Sequence, residues 1–179
     1  IRNSVNRDTI KICTKINLGD LEKNGGYTWS SFENSIQQSL QRLNVEKVDT
    51  LLFHSPPQDL ICEKFLHFFE EAKARKLIDN YGISARNFAD LNRAIQVNFG
   101  QTLQWNFSIL EKRAIKILES QEIDDRFKFI GRSVLYRGLL TKKFVEAGAS
   151  TKFFDARSQL NSDLVDWVHK NAVLLQRRA

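Results

Sequence analysis

Apolar and polar positions along the chain follow two rhythms that take turns. Short runs rich in branched residues, such as Val48 to His54, give way to longer stretches in which apolar residues return every three or four positions, as Phe32, Ile36, Leu40 and Leu43 do. The first rhythm suits a strand covered on both faces and the second an amphipathic helix. Their alternation predicts βα units around a parallel sheet.

About five such units can be read. Strand Ile10 to Ile16 precedes a polar loop with Gly25 and Gly26 and then a helix from Trp29 to Leu43. Strand Val48 to His54 is stopped by Pro56 and Pro57 and leads to a helix over Cys62 to Lys76. Strand Ile78 to Ser84 precedes a helix opening near Asn87, whose side chain can cap the first turn. Leu103 to Phe107 leads into a helix over Glu111 to Ser120, and Phe127 to Leu135 leads through Gly138 into a short helix around Leu139 to Ala147. Beyond Gly148 comes a Ser/Thr-bearing stretch with Phe153 and Phe154. One more amphipathic helix follows, capped by Asn161 or Ser162, with Leu164, Trp167, Val168, Leu174 and Leu175 as its expected buried stripe. An eight-unit barrel takes about 250 residues. The pattern alone therefore leaves two architectures open, an open doubly wound sheet and an incomplete barrel.

Composition narrows the class. With 42% hydrophobic and 27% charged residues in 179, the chain reads as one ordinary globular domain over residues 1–179. No apolar run approaches the roughly 18 residues of a membrane span, and Ile1 to Thr9 is polar rather than signal-like, which predicts a cytoplasmic protein with no membrane partner. Cys13 and Cys62 show no metal-type spacing and read as reduced packing residues. The net charge of +6 is spread through every segment without interleaved aromatics, which argues against nucleic acid. A solvated surface or a diphosphate ligand accounts for it equally well. The absence of methionine and a start at Ile1, in the run-up to a strand, lead us to expect that the expressed protein is longer, with an intact mass above 20.8 kDa.

In a parallel barrel the working residues stand at the C-terminal ends of the strands. Here those ends carry Thr14-Lys15, His54-Ser55, Ser84, Gln104 with Asn106, and Arg132-Ser133. A lysine can depress a neighbouring pKa, and a histidine can hydrogen-bond a substrate oxygen. The plainer readings are that Lys15 reaches solvent and that His54 is a satisfied structural histidine. His67 and His169 read as surface or core-edge groups, and Tyr27, Tyr81 and Tyr136 as loop or packing groups. The sequence has no G-x-G-x-x-G or P-loop pattern, no H-E-x-x-H or other metal spacing and no nucleophile elbow.

The ordered set Thr14-Lys15, Val48-Asp49-Thr50-Leu51-Leu52-Phe53-His54-Ser55-Pro56, Tyr81-Gly82-Ile83-Ser84, Leu103-Gln104-Trp105-Asn106, Arg132-Ser133-Val134-Leu135 and Gly138-Leu139-Leu140-Thr141 resembles the aldo-keto reductases. Asp155-Ala156-Arg157-Ser158 is similar to a short stretch that precedes a late helix in several members. The resemblance implies a (β/α)8 TIM barrel, present here as about five βα units and a late helix, lacking its first strands and last units. It also implies NADPH-dependent reduction of a small-molecule aldehyde or ketone without metal. Lys15 would lower the pKa of a proton-donating tyrosine, and His54 would orient the carbonyl. Ser84 and Gln104 would hold the nicotinamide carboxamide, while Ser133, Leu135 and Arg137 would lie along the ribose and diphosphate.

The departures are equally specific. Arg132 replaces the aromatic residue on which the nicotinamide often stacks, though its planar guanidinium can stack too. Ala85 stands where an asparagine usually follows Ser84. The family's tyrosine and aspartate belong upstream of the lysine, and none of the fourteen residues before Lys15 is a tyrosine. The late segment that grips the adenosine 2′-phosphate has no visible counterpart, so NADPH rather than NADH rests on the resemblance. A catalytically silent relative that senses cofactor or binds a partner is the alternative. The sequence is silent on oligomeric state.

Overall fold

The computed structural model describes residues 9–119, 125–148 and 156–176. Among them the strands are β1 (Cys13–Ile16), β2 (Val48–His54), β3 (Ile78–Ser84), β4 (Thr102–Asn106) and β5 (Lys128–Arg132). The helices are α1 (Leu18–Lys23), α2 (Trp29–Leu43), α3 (Glu63–Ala74), α4 (Phe88–Gln96), α5 (Arg113–Leu118), α6 (Lys142–Ala147) and α7 (Ser162–Gln176). The five strands form one sheet in the order β1-β2-β3-β4-β5, and the first three neighbouring pairs are parallel. A doubly wound sheet would reverse its strand order at a switch point. Strands that follow one another without reversal are the arc of a barrel.

The expected polar loop after β1 contains α1, a six-residue helix whose first turn is closed by Asn17 Oδ1 accepting from Asp20 N at 3.0 Å. The first strand begins at Cys13 rather than Ile10. The fifth ends at Arg132 rather than Leu135, because Ser133 turns to φ 60° and breaks the extended run. A single 3-10 turn over Tyr136–Gly138 then delays the helix expected from Leu139 until Lys142. Phe153 and Phe154 lie outside the described residues.

By the alternation of side chains along strands, one face of the sheet carries Leu51, Phe53, Tyr81, Ile83, Leu103 and Trp105, all buried. The rings of this face meet the helices: Phe53 lies 4.8 Å from Phe65, and Phe69 packs against Phe32 at 4.9 Å, Tyr81 at 5.2 Å and Phe99 at 5.4 Å. Each such ring contributes about 1.5–3 kcal/mol through area removed from water. This cluster anchors one compact unit, which ends at Trp105 and takes in the stretch up to Ile130. A second unit comprises residues 106–119 and those from Gly131 onward. Its core is Leu139, Phe144, Val165 and Val168.

The buried line of α7 is Val165, Val168 and Ala172 rather than the stripe expected from the larger side chains; Trp167 and Leu174 are 48% and 53% exposed. Only Val168 is common to both. Among the described residues no helix is long and apolar enough to cross a membrane.

Two local features fix the middle of the sheet. Gly82 lies where β3 and β4 approach so closely that a Cβ there would stand 1.8 Å from the Thr102 carbonyl oxygen. Helix α4 starts as expected at Asn87, whose Oδ1 accepts from Asp90 N at 2.9 Å. Asn87→Ala should cost about 1 kcal/mol of stability. Thermal unfolding of the variant checks this, and an unchanged midpoint would show the cap to be idle.

Candidate active site

Strand register places the residues singled out in the first unit on the face of the sheet opposite the aromatic cluster. Lys15 pairs with Leu52, Leu52 with Gly82, and Gly82 with Thr102. One step nearer the C-terminal ends, His54 pairs with Ser84 and Ser84 with Gln104. Side chains on one face recur every second residue, so Lys15, His54, Ser84 and Gln104 share this face in two adjacent layers. His54 is exposed and Lys15 partly so, whereas Ser84 and Gln104 are 0% and 7% exposed.

The buried pair satisfies itself: Ser84 Oγ donates to Gln104 Oε1 at 2.8 Å. Backbone bonds carry the register one residue past the strands, with Ser55 N donating to Ser84 O and Ala85 N to Gln104 O, each at 2.9 Å. The hydroxyl oxygen of Ser84 keeps acceptor capacity and Gln104 keeps its amide N–H groups, a set complementary to a carboxamide. Cys13 stands on the same face two residues before Lys15; partial enclosure pushes its thiol pKa up, and the Lys15 ammonium pulls it part of the way back.

In the second unit, Arg132, Ser133 and Arg137 line one cavity of about 330 Å³ together with Asn106, Ser108, Glu111 and Arg113. Leu135 is not among its lining residues and is exposed. Arg132 is half-buried; that burial and the nearby Arg137 guanidinium lower its pKa. Arg113 grips Glu111 with its Nε at 2.8 Å and an Nη at 2.5 Å, which holds the Glu111 carboxyl below its ordinary value. The Glu111–Arg113 pair and Tyr136 were not anticipated as site residues. Only the Glu-x-Arg spacing hinted at the pair, and such spacing is common at helix starts.

Backbone strain gathers in the same places. Of the non-glycine residues with positive φ among the described residues, Asn44, Lys76 and Asn98 follow helix ends, where the left-handed conformation closes the last turn. Ser55, Ser133, Tyr136 and Arg137 instead stand in the loops that leave β2 and β5. Strained residues of this kind cluster at functional sites. Among the described residues no group of three His, Cys, Asp or Glu side chains comes together in a way that could hold a metal ion.

The family model of the aldo/keto reductase family matches residues 1–177. The chain belongs to that family. A search of curated proteins returns no match. Among solved structures, the holo form of an aldo-keto reductase from Bacillus halodurans superposes with a TM-score of 0.63 at 22% identity, over 76% of this chain and 45% of that one. An aldo/keto reductase from Brucella melitensis gives 0.58 at 21% identity, over 80% and 53%. A third, from Klebsiella pneumoniae, solved in complex with NADP and acetate, gives 0.59 at 15% identity, over 74% and 45%. The chain thus spans about half the length of the solved relatives it matches, and its fold is a five-stranded part of their (β/α)8 barrel.

Proposed function

We propose that this chain is part of an oxidoreductase that reduces an aldehyde or ketone with NADPH, with residues 1–179 lying in a single domain. The observation that carries the reading is the face shared by Lys15, His54 and the buried Ser84–Gln104 pair at consecutive strand ends. Family membership and the NADP bound to the Klebsiella pneumoniae relative support it.

The residues present fit the cofactor. A buried hydroxyl and carboxamide that already face each other suit the nicotinamide carboxamide, and a cavity lined by arginines suits a diphosphate. In this reading Ser84 and Gln104 hold the nicotinamide carboxamide, and Arg132, Ser133, Leu135 and Arg137 are the second unit's contribution to cofactor binding. NADPH supplies the hydride when bound. His54 directs a ring N–H at the carbonyl oxygen and fixes its orientation. Lys15 Nζ provides the positive charge that lowers the pKa of the proton-donating acid, since a phenol near 10 needs a nearby cation to give up its proton at neutral pH.

Calorimetric titration of the expressed protein with NADPH and NADH tests the cofactor claim. Gln104→Ala should weaken NADPH binding by about tenfold, the ordinary effect of losing a buried hydrogen-bonding group. If neither nucleotide binds the unmodified protein, the reading fails. Binding without turnover on any carbonyl compound would favour the catalytically silent relative instead.

A further inference from the structure

Asp49 is the one carboxylate in β2, and its side chain is only 14% exposed. A carboxylate enclosed to that degree is costly unless its oxygens are bonded. Both are: Oδ2 accepts from Ile12 N at 2.8 Å and Oδ1 from Lys11 Nζ at 2.9 Å. The Lys11 side chain is 81% exposed, so the ion pair adds little. The bond to the Ile12 backbone is the better enclosed of the two, and it is charge-assisted.

Register makes Asp49 the neighbour of Ile12, one step before the pair Cys13–Thr50. Ile12 is thereby held twice, since its carbonyl accepts from Thr50 N at 3.1 Å. From the other side, Asn80 of β3 donates its Nδ2 to the Asp49 carbonyl at 3.3 Å. Strand β1 needs such a fastening. It is four residues long, its one neighbour among the described strands is β2, and its sequence Cys-Thr-Lys-Ile puts no continuous apolar stripe on either face. Register is strongly specified where one face is apolar and buried, and a slip of one residue turns every side chain to the opposite face. Ladder bonds are alike at every residue and cannot tell one register from the next, whereas a side-chain bond singles out one partner.

We propose that Asp49 is a positioning residue: its carboxylate pins the start of β1 against β2 and so keeps Lys15 on the face that carries His54, Ser84 and Gln104. It is distinct from the aspartate that the family resemblance places upstream of Lys15, since it lies on the following strand and near that strand's N-terminal end. The inference rests on the function proposed above for why the place of the Lys15 charge matters. The pin itself stands on the geometry alone.

The test is amide hydrogen exchange of the expressed protein, read at β1, alongside kcat and NADPH affinity. Asp49→Ala should speed exchange across residues 12–16 by about ten- to 100-fold, the loss of a charge-assisted hydrogen bond expressed as an opening equilibrium. Exchange in β3 should not change. The accompanying fall in kcat should be about tenfold or more, with NADPH affinity kept because the Ser84–Gln104 pair is untouched. Asp49→Asn, whose amide oxygen can still accept from Ile12 N, should bring exchange and kcat back to within about threefold. The control is Asp79→Ala, which removes the exposed Lys47–Asp79 pair and should leave β1 as it is. The proposal is overturned by unchanged β1 exchange in Asp49→Ala, by an Asp49→Asn variant no better than Asp49→Ala, or by an equal loss of protection in Asp79→Ala. Should Asp49→Ala not fold, the unmodified protein decides: an Ile12 amide that exchanges as fast as an unfolded chain also overturns it. Exchange needs neither nucleotide nor carbonyl compound, so it reads the pin whether or not the protein turns over. Faster β1 exchange with unchanged kcat leaves the pin standing and sinks the role given to Lys15, whereas a fall in kcat with unchanged β1 exchange sinks the pin alone.

Discussion

Gly82→Ala should leave the chain unable to reach its native sheet. An added Cβ would meet the Thr102 carbonyl oxygen at 1.8 Å, its carbon at 2.6 Å and the Thr102 nitrogen at 2.8 Å. All three are backbone atoms of the neighbouring strand, so no side-chain rotation relieves the overlap. The two strands would have to part at the first pair of the stretch Gly82–Thr102, Ile83–Leu103 and Ser84–Gln104. Overpacking of a tight interior costs about 1–3 kcal/mol when neighbours can shift, and a ladder break adds to it. Set against a total stability of roughly 5–15 kcal/mol, that is a large fraction. Expression yield and denaturant unfolding report the outcome, and a variant with native stability would show that the strands part easily.

Lys15→Met should lower kcat by about 100- to 10,000-fold while leaving NADPH affinity nearly unchanged. The residue sits one layer below His54 on the shared face and is partly enclosed, and in the proposed reading its charge acts on the proton donor while the Ser84–Gln104 pair holds the cofactor. Methionine keeps the length and bulk of the stem and removes only the charge. Steady-state kinetics with a panel of aldehydes, paired with nucleotide titration, separates the two effects. Unchanged turnover would reject the role given to Lys15, and an equal loss of NADPH affinity would recast it as a cofactor ligand.

Much of the first unit was legible in the sequence. The limits of β2 and β3 agree to the residue with the apolar runs Val48–His54 and Ile78–Ser84. Both runs bury alternate side chains against an aromatic helical layer, and Pro56-Pro57 closes the first of them. Helix α2 likewise has its expected limits and buries Phe32, Ile36 and Leu40 of its apolar period, though Leu43 at its end is exposed, and Thr28 caps it through an oxygen that accepts from Ser31 N. What escaped was structure set by few residues. Helix α1 is too short for any period to show. Val134 and Leu135 looked like a continuing strand because nothing in their apolar character reveals the left-handed turn at Ser133. In α7 the small Val165 and Ala172 are buried while Trp167 stays exposed, an order that side-chain size alone reverses.

The site divided along the same line. Lys15, His54, Ser84 and Gln104 were marked from the ends of the apolar runs, and the strand register puts these four on one face. The cavity around Arg132 could not be read, because it is assembled from the segments that follow β4 and β5, with Leu160 and Leu164 closing it from a third. No local spacing records that meeting. Only Arg132, Ser133, Arg137 and Asn106 had been marked in advance, as separate strand-end or loop residues.

The left-handed residues Ser55, Ser133, Tyr136 and Arg137 carry a consequence for anyone who would make this protein hardier. Each holds a conformation that disfavours a side chain by about 1–2 kcal/mol and that glycine adopts without penalty. A search for thermostabilised variants would therefore find glycine at these four positions among its easiest gains. Those same substitutions would loosen the loops that aim the strand-end groups, so robustness and competence would be selected in opposite directions at the same four codons.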